Sequence, residues 1–380
     1  MGKRELLLIL AFAIVGVVVY QATAPAPGPN ERQFSFSGIV EKVRREMRGN
    51  RARSELTTTA THELDPTVTE LRVAGSYAEI TITGERRETV EARLRVTSTG
   101  YDEAEARQLA QETRVKADRA GGALRLTSVY PEPGRQQAFL TLLVPTRLAI
   151  RVSPGAQRTS VTGVASIEAD VRGESSLRNI TGRATLTHRA GNVLIDNVAA
   201  LKLNCRGSDA TVTNVRGEAS FTLQSGELNA SAIGGPIEVD AQNTEVALKK
   251  LEDARGPLRV NAVGGSVRLD GLTSEARIDG RNTEVDIEMA KAAAVSVYNE
   301  GNEPIEIVVP PGGFVLDAVV TLGRLTVSDD LHSQVKVPAA GDEKEQRANG
   351  AVRGGGPTIT LRANRGDIRL HTPASTKPEP

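Results

Sequence analysis

Asp209, Glu227, Glu245 and Glu284 are the residues of this chain whose type and spacing come closest to chemistry. With Asn192 and Ser266 they fill one position that returns at intervals of 17, 18, 18, 21 and 18 residues. If successive units stack as strands about 4.8 Å apart, Glu227 and Glu245 could share a cation. Clustered carboxylates on one outward column would also suit a carbohydrate-active β-helix enzyme, with a metal or basic partner beside them. Neither a calcium-type ligand spacing nor a basic partner accompanies the column. The expectation is therefore that these charges keep a flat sheet soluble, and the column stands as the one weak metal candidate.

The other chemically capable residues give less. His62, His188, His332 and His371 are far apart in sequence, and each falls near an expected loop or end, so all four are expected to be exposed and without function. Cys205 lies two residues after Leu203 on an inward face, which makes it a small buried core residue rather than a nucleophile. The chain has no phosphate loop, dinucleotide fingerprint, HExxH or nucleophile elbow. No catalytic residue and no cofactor is implied, and a non-enzyme is expected.

Bulk composition narrows the classes further. Lysine plus arginine and aspartate plus glutamate each number 47, so net charge is zero, which argues against a phosphate-tracking nucleic-acid binder. Aromatic residues are 3% of the 380 and tryptophan is absent, so stacking platforms for bases or sugars are scarce. The single cysteine excludes an internal disulfide framework.

The acidic column belongs to a larger pattern. Leu186, Leu203, Phe221, Val239, Val260 and Ile278 recur at the same five intervals, as do Ile195, Val212, Ala230, Leu248, Leu269 and Ile287. Two further apolar columns begin at Ala184 and Val193 and keep the same step. Columns in lockstep with polar residues between them mean stacked strand–turn–strand units. Residues such as Ala190, Gly207, Ser225 and Asn243 precede the first turn, and Val198, Val215, Ile233, Leu251 and Leu272 plug the second. The long interval places three extra residues between Leu251 and Leu258, bulging one corner without changing which side chains face inward. An all-β fold follows, a β-solenoid of about 18-residue two-strand rungs over 154–372. Within it, Asp342 to Gly356 reads as a charged, glycine-rich excursion, and Ile359/Leu361 with Ile368/Leu370 as one last two-strand unit.

Residues 65–153 read as a small α+β region capping one end of the stack, with alternating strands and a helix from Asp102 to Ala117. Ahead of it, 1–24 is read as a membrane anchor or signal. Leu6 to Tyr20 carries no charge, and Lys3 and Arg4 hold the amino terminus inside. Ala22-x-Ala24 resembles a cleavage site, but Pro25 fits a peptidase cleft poorly, so an uncleaved single-pass anchor through 6–24 is expected. Residues 25–64 are a Pro-rich and basic linker, whose Ile39, Val43 and Met47 would also suit a helix lying on anionic headgroups. Residues 373–380 are a frayed tail.

The chain resembles the bacterial putative-adhesin family of unknown function. The resemblance rests on Gly75-Ser76-Tyr77-Ala78-Glu79-Ile80-Thr81-Ile82-Thr83-Gly84, the Ala-rich helix from Asp102, Gly191-Asn192-Val193-Leu194-Ile195, and Asn364-Arg365-Gly366-Asp367-Ile368-Arg369-Leu370. It spans roughly 65–372 and implies a membrane-anchored or exported β-repeat protein, with no catalytic residue set. The expectation is an extracytoplasmic binding or structural module of the cell envelope, facing an envelope polymer or protein partner and no nucleic acid. A polymer-forming β-solenoid scaffold is the alternative, but an export signal argues against a cytoplasmic filament.

Overall fold

The computed structural model describes residues 52–75, 78–132, 134–336 and 344–373. The apolar segment 6–24, the basic segment up to Arg51, Ser76, Tyr77, Pro133, and the tail from Ala374 lie outside the described residues, as do 337–343. Among the described residues no helix is long and apolar enough to cross a membrane.

Alternating residues form strands almost throughout. The first part of the chain gives β1 (Ala52–Glu63), β2 (Glu70–Ala74), β3 (Ala78–Glu85) and β4 (Thr89–Gly100). Helix α1 (Glu103–Glu112) follows, then β5 (Arg114–Ala120), β6 (Ala123–Val129), β7 (Gln136–Pro145), β8 (Ala149–Val152) and β9 (Arg158–Thr162). Two of the sequence expectations need correction here. Residues 52–63 are not linker: β1 pairs along its whole length with β4, antiparallel, from Ala52↔Gly100 to Glu63↔Thr89. The helix stops at Glu112 rather than Ala117. Asp102 caps its start by accepting the Glu105 N–H at 2.8 Å, and the Thr113 hydroxyl closes its end on the Leu109 carbonyl at 2.8 Å. Beyond that point Val115 and its neighbours find a better partner in the β5–β6 hairpin than in another helical turn.

From β6 onward the strands build two parallel ladders, and one strand of each makes a rung. The first ladder runs β6, β2, β8, Ser166–Arg172 and then 184–189. It continues from 201–206 through 219–224, 237–242 and 258–263 to Ala276–Arg281 and Val295–Gly301. The second ladder runs β7, β3, β9 and 174–178, and reaches Glu284–Met289 and Ile305–Val308 by the same steps. Register is kept residue for residue, Phe221 facing Leu203 on one side and Val239 on the other. The apolar columns are consequently buried, with Leu186, Leu203, Phe221, Val239 and Ile278 at 0% exposure. The three additional residues form a short 3₁₀ turn, Leu251–Asp253, that leaves Leu251 inside.

At both ends spatial order departs from chain order. The β2/β3 rung lies between β6/β7 and β8/β9. The Thr358–Arg365 and Ile368–His371 pair is not the last rung: it lies between Val295–Gly301/Ile305–Val308 and Phe314–Thr321/Leu325–Val327. The expected excursion contains a strand, Glu345–Val352, which closes the first ladder antiparallel to Phe314–Thr321. The second ladder ends at the other side in antiparallel β4 and then β1.

The first corner alternates between two chemistries. Ala190, Gly207, Ser225, Asn243, Gly264 and Asn282 all have positive φ. The residue after each is in turn Gly191, Ser208, Gly226, Thr244, Gly265 and Thr283, so the corner repeats every two rungs. Where it is Ser or Thr, the side chain is buried, and the Thr244 and Thr283 hydroxyls donate to the carbonyl two residues back, Gln242 and Arg281. Where it is Gly, the backbone presses on the rung before. A Cβ on Gly226, at φ +112°, would stand 2.2 Å from the Ser208 carbonyl oxygen. By contrast a Cβ on Gly207, at φ +61°, meets nothing within 4 Å. Gly207→Ala should therefore cost about 1 kcal/mol for the left-handed backbone alone, whereas Gly226→Ala should cost upward of ~3 kcal/mol. Urea midpoints of the two variants read this difference directly, and equal midpoints would contradict the corner geometry.

Candidate functional site

The acidic column lies on the outer side of the second ladder, with Glu227 beside Glu245, Glu245 beside Ser266, and Ser266 beside Glu284. All four carboxylates are exposed. Two are already engaged: Asp209 accepts the Glu227 backbone N–H at 3.1 Å, and Glu227 accepts from the Asn229 amide at 2.6 Å. Among the described residues no group of three or more His, Cys, Asp or Glu is placed to hold a metal ion. At its amino-terminal end the column opens into a shallow depression of about 540 Å³, lined by Arg158, Glu174, Arg178, Asn192, Asp209 and Thr211. Arg158 and Glu174 form an ion pair across that depression at 2.8 Å.

Asp196, at the opposite edge of the same ladder, accepts from the Asn214 amide at 2.9 Å and the Thr213 hydroxyl at 2.8 Å. Those two bonds hold its carboxyl below the ordinary carboxylate range. This tie joins successive rungs at the second corner, where Asn197 also donates to the Asn179 side chain at 2.8 Å.

His188 corrects the expectation that the histidines are exposed. It occupies the inward column Val171–His188–Cys205–Leu223 and is 1% exposed. Nε2 donates to the Gly173 carbonyl, while Nδ1 lies 2.8 Å from the Ser208 hydroxyl. Burial pushes its pKa down, partly offset by the Gly173 bond, so the imidazole is neutral and Ser208 donates to it. Reading one unit alone hid this, because Gly173 and Ser208 belong to the rungs on either side. The common 17-residue step from Val171 to His188 to Cys205 was the available signal. His332 and His371 are half-exposed, and His371 contacts Glu306 at 2.9 Å. Cys205 is buried as expected, and burial pushes its thiol up to about 12, which keeps it protonated and unreactive in the fold.

One outer column escaped the sequence reading. Arg172, Arg189 and Arg206 occupy the last outward position of the first ladder before the corner, at steps of 17 residues, and all three are exposed. Arg172 and Arg189 are direct register partners. Elsewhere on the ladders many charges are matched locally, as in Arg268–Asp286 at 2.6 Å, Arg151–Glu168 at 2.7 Å and Arg277–Asp279 at 2.8 Å, although Arg178 and Arg259 also lack an ion-pair partner among the described residues. In the arginine column Arg189 reaches Asp170 at 3.2 Å, whereas Arg172, Arg206 and the nearby Lys202 have no carboxylate partner among the described residues. Arginines on neighbouring strands about 4.8 Å apart carry like charges that repel one another, a repulsion an anion between them relieves.

No family model and no curated protein matches this chain. Solved structures do. A putative adhesin from Parabacteroides merdae covers 67% of this chain and 96% of its own, at 11% identity and a TM-score of 0.38. A putative lipid binding protein from Parabacteroides distasonis covers 83% and 96%, at 11% identity and 0.34. A putative cell adhesion protein from Clostridium sporogenes covers 84% and 100%, at 10% identity and 0.19. Two of these three carry the adhesin or cell-adhesion name of the family whose motifs the sequence resembles. At such scores the likeness assigns no residue and no ligand to this chain.

The buried histidine has a consequence for stability. Its folded pKa is depressed, so the unfolded chain binds the extra proton first. The His188 contribution is fully present above its ordinary value of about 6.5 and is lost as pH falls below it. His188→Gln should flatten that part of the melting-temperature profile between pH 7.5 and pH 5. An unchanged acid slope in the variant would remove His188 from the account.

Proposed function

We propose that this protein is an exported, membrane-tethered β-solenoid that binds an anionic envelope polymer along its outer strands, as a non-catalytic, adhesin-like module. The observation that carries this reading is the exposed Arg172–Arg189–Arg206 column. It repeats at the rung spacing, Arg172 and Arg206 have no carboxylate partner among the described residues, and it stands on a polar surface. A polymer with negative charges along its length can lie across the three guanidinium groups and relieve their mutual repulsion. Among the described residues the inward columns are filled by apolar side chains, and the buried His188 is bonded to the rungs on either side of it. The tether in this proposal is the uncharged segment 6–24, with Lys3 and Arg4 on the cytoplasmic side and the repeats outside.

The test is binding of the full chain, in detergent micelles, to a polyuronate and to a neutral glucan of equal length. The polyuronate should bind and the glucan should not, with affinity falling as salt rises. Replacing Arg172, Arg189 and Arg206 together with Gln should weaken polyuronate binding about tenfold or more, since each charge-assisted contact contributes on the order of 1 kcal/mol. Binding that ignores both salt and the triple variant would overturn the proposal.

A further inference from the structure

The four outermost strands differ in how their free edges are protected. β5 carries Arg114, Lys116, Asp118 and Arg119, and a charged edge discourages pairing with another strand. Leu325–Val327 is three residues long, and its first N–H is taken by the Gln346 side chain at 2.9 Å. Glu345–Val352 is closed by a bridge between Lys336 and Asn349. β1 has no such closure, and its charges, Arg53, Glu55 and Glu63, lie only towards its ends. It is 12 residues long, and its run Leu56-Thr57-Thr58-Thr59-Ala60-Thr61 contains no charge, proline or glycine. Among the described residues it pairs only with β4.

β1 is also held firmly in place. Leu56 packs against the core, and Arg119 donates to the Glu63 carbonyl. A fixed strand with a free edge presents a preformed row of backbone donors and acceptors.

The charges of β1 select the partner. If the strand is laid antiparallel on a copy of itself with Thr58 opposite Thr58, Arg53 falls opposite Glu63, and the two-fold axis repeats that pair at the other end. Both positions are odd-numbered, so their side chains project from the same side of the strand. Thr57 then faces Thr59, and Glu55 faces Thr61, so no like charges meet. Neither Arg53 nor Glu63 has an ion-pair partner among the described residues, and both are exposed. We infer that β1 is a homodimerisation edge, joining two copies of this chain through one continuous antiparallel sheet with Arg53–Glu63 pairs at its two ends.

The inference is tested with the full chain in detergent micelles, by the protein mass within the micelle measured across a concentration series. The expected mass is twice the 40.4 kDa of one chain. Arg53→Glu places Glu opposite Glu twice, and Glu63→Arg places Arg opposite Arg twice. Each alone should raise the dimer dissociation constant about tenfold or more, and the two together should restore it. Thr58→Cys supplies a second readout. It should form a disulfide-linked dimer on oxidation, while the buried Cys205 stays silent and Lys116→Cys on β5 does not cross-link. A monomer at all concentrations would overturn the inference. So would a dimer indifferent to the single charge variants, or a double variant no tighter than the singles.

Discussion

The constraint on which everything else rests is residue-for-residue register in two parallel backbone ladders. A strand displaced by one residue would turn its whole inward set outward, so each rung must place its apolar residues where the previous rung did. Phe221 can sit between Leu203 and Val239 because the chain between successive rungs changes length at or beside corners, as at Gly271, where a bulge between Asp270 and Leu272 shifts the register at the end of its strand. The insertion at Leu251–Asp253 obeys the same rule, absorbing three residues in a turn while the neighbouring strands stay aligned.

Corners carry the cost of that regularity. Each first corner needs a left-handed residue, and each second rung needs a glycine whose backbone presses on the carbonyl of the rung before. In two of the intervening rungs a buried Thr hydroxyl satisfies a carbonyl at the turn, and in the third the Ser208 hydroxyl donates to His188. His188 enters the same scheme, bridging the rungs on either side through Gly173 and Ser208. With the interior committed to packing and corner hydrogen bonds, recognition is left to the outer columns. There the chemistry is one of repeated charges at strand spacing rather than of a pocket.

Much of this was legible in the sequence because the repeat is local. The columns through Leu186 and Ile195 gave the inward residues, the burial of Cys205 and the outward place of Asp209, Glu227, Glu245 and Glu284. What escaped involves partners outside a single unit. His188 looked like a residue near a loop because its two hydrogen-bond partners lie 15 and 20 residues away. Ile359 and Ile368 looked terminal because chain order suggests stacking order, yet their strands pair with Val295 and Ile305 on one side and with Leu316 and Leu325 on the other. β1 looked like linker because its threonines give little apolar alternation, and its strand character comes from β4. The arginine column is visible at its 17-residue step, but that Arg172 and Arg189 lie side by side, with Asp170 reaching only Arg189, follows from the ladder register.

Stacking independent of chain order is the most demanding consequence of the ladder account, and a single cross-linking measurement reaches it. Ser296, Thr360 and Asp317 hold one position of three successive rungs, with Thr360 in the middle. Cysteine pairs are introduced at 296/360, 360/317 and 296/317, oxidised in the folded protein, and mapped by peptide mass. The account predicts disulfides for the first two pairs and none for the third. A 296/317 disulfide, with the 296/360 and 360/317 pairs left unlinked, would mean that rungs stack in simple chain order, and it would contradict the account.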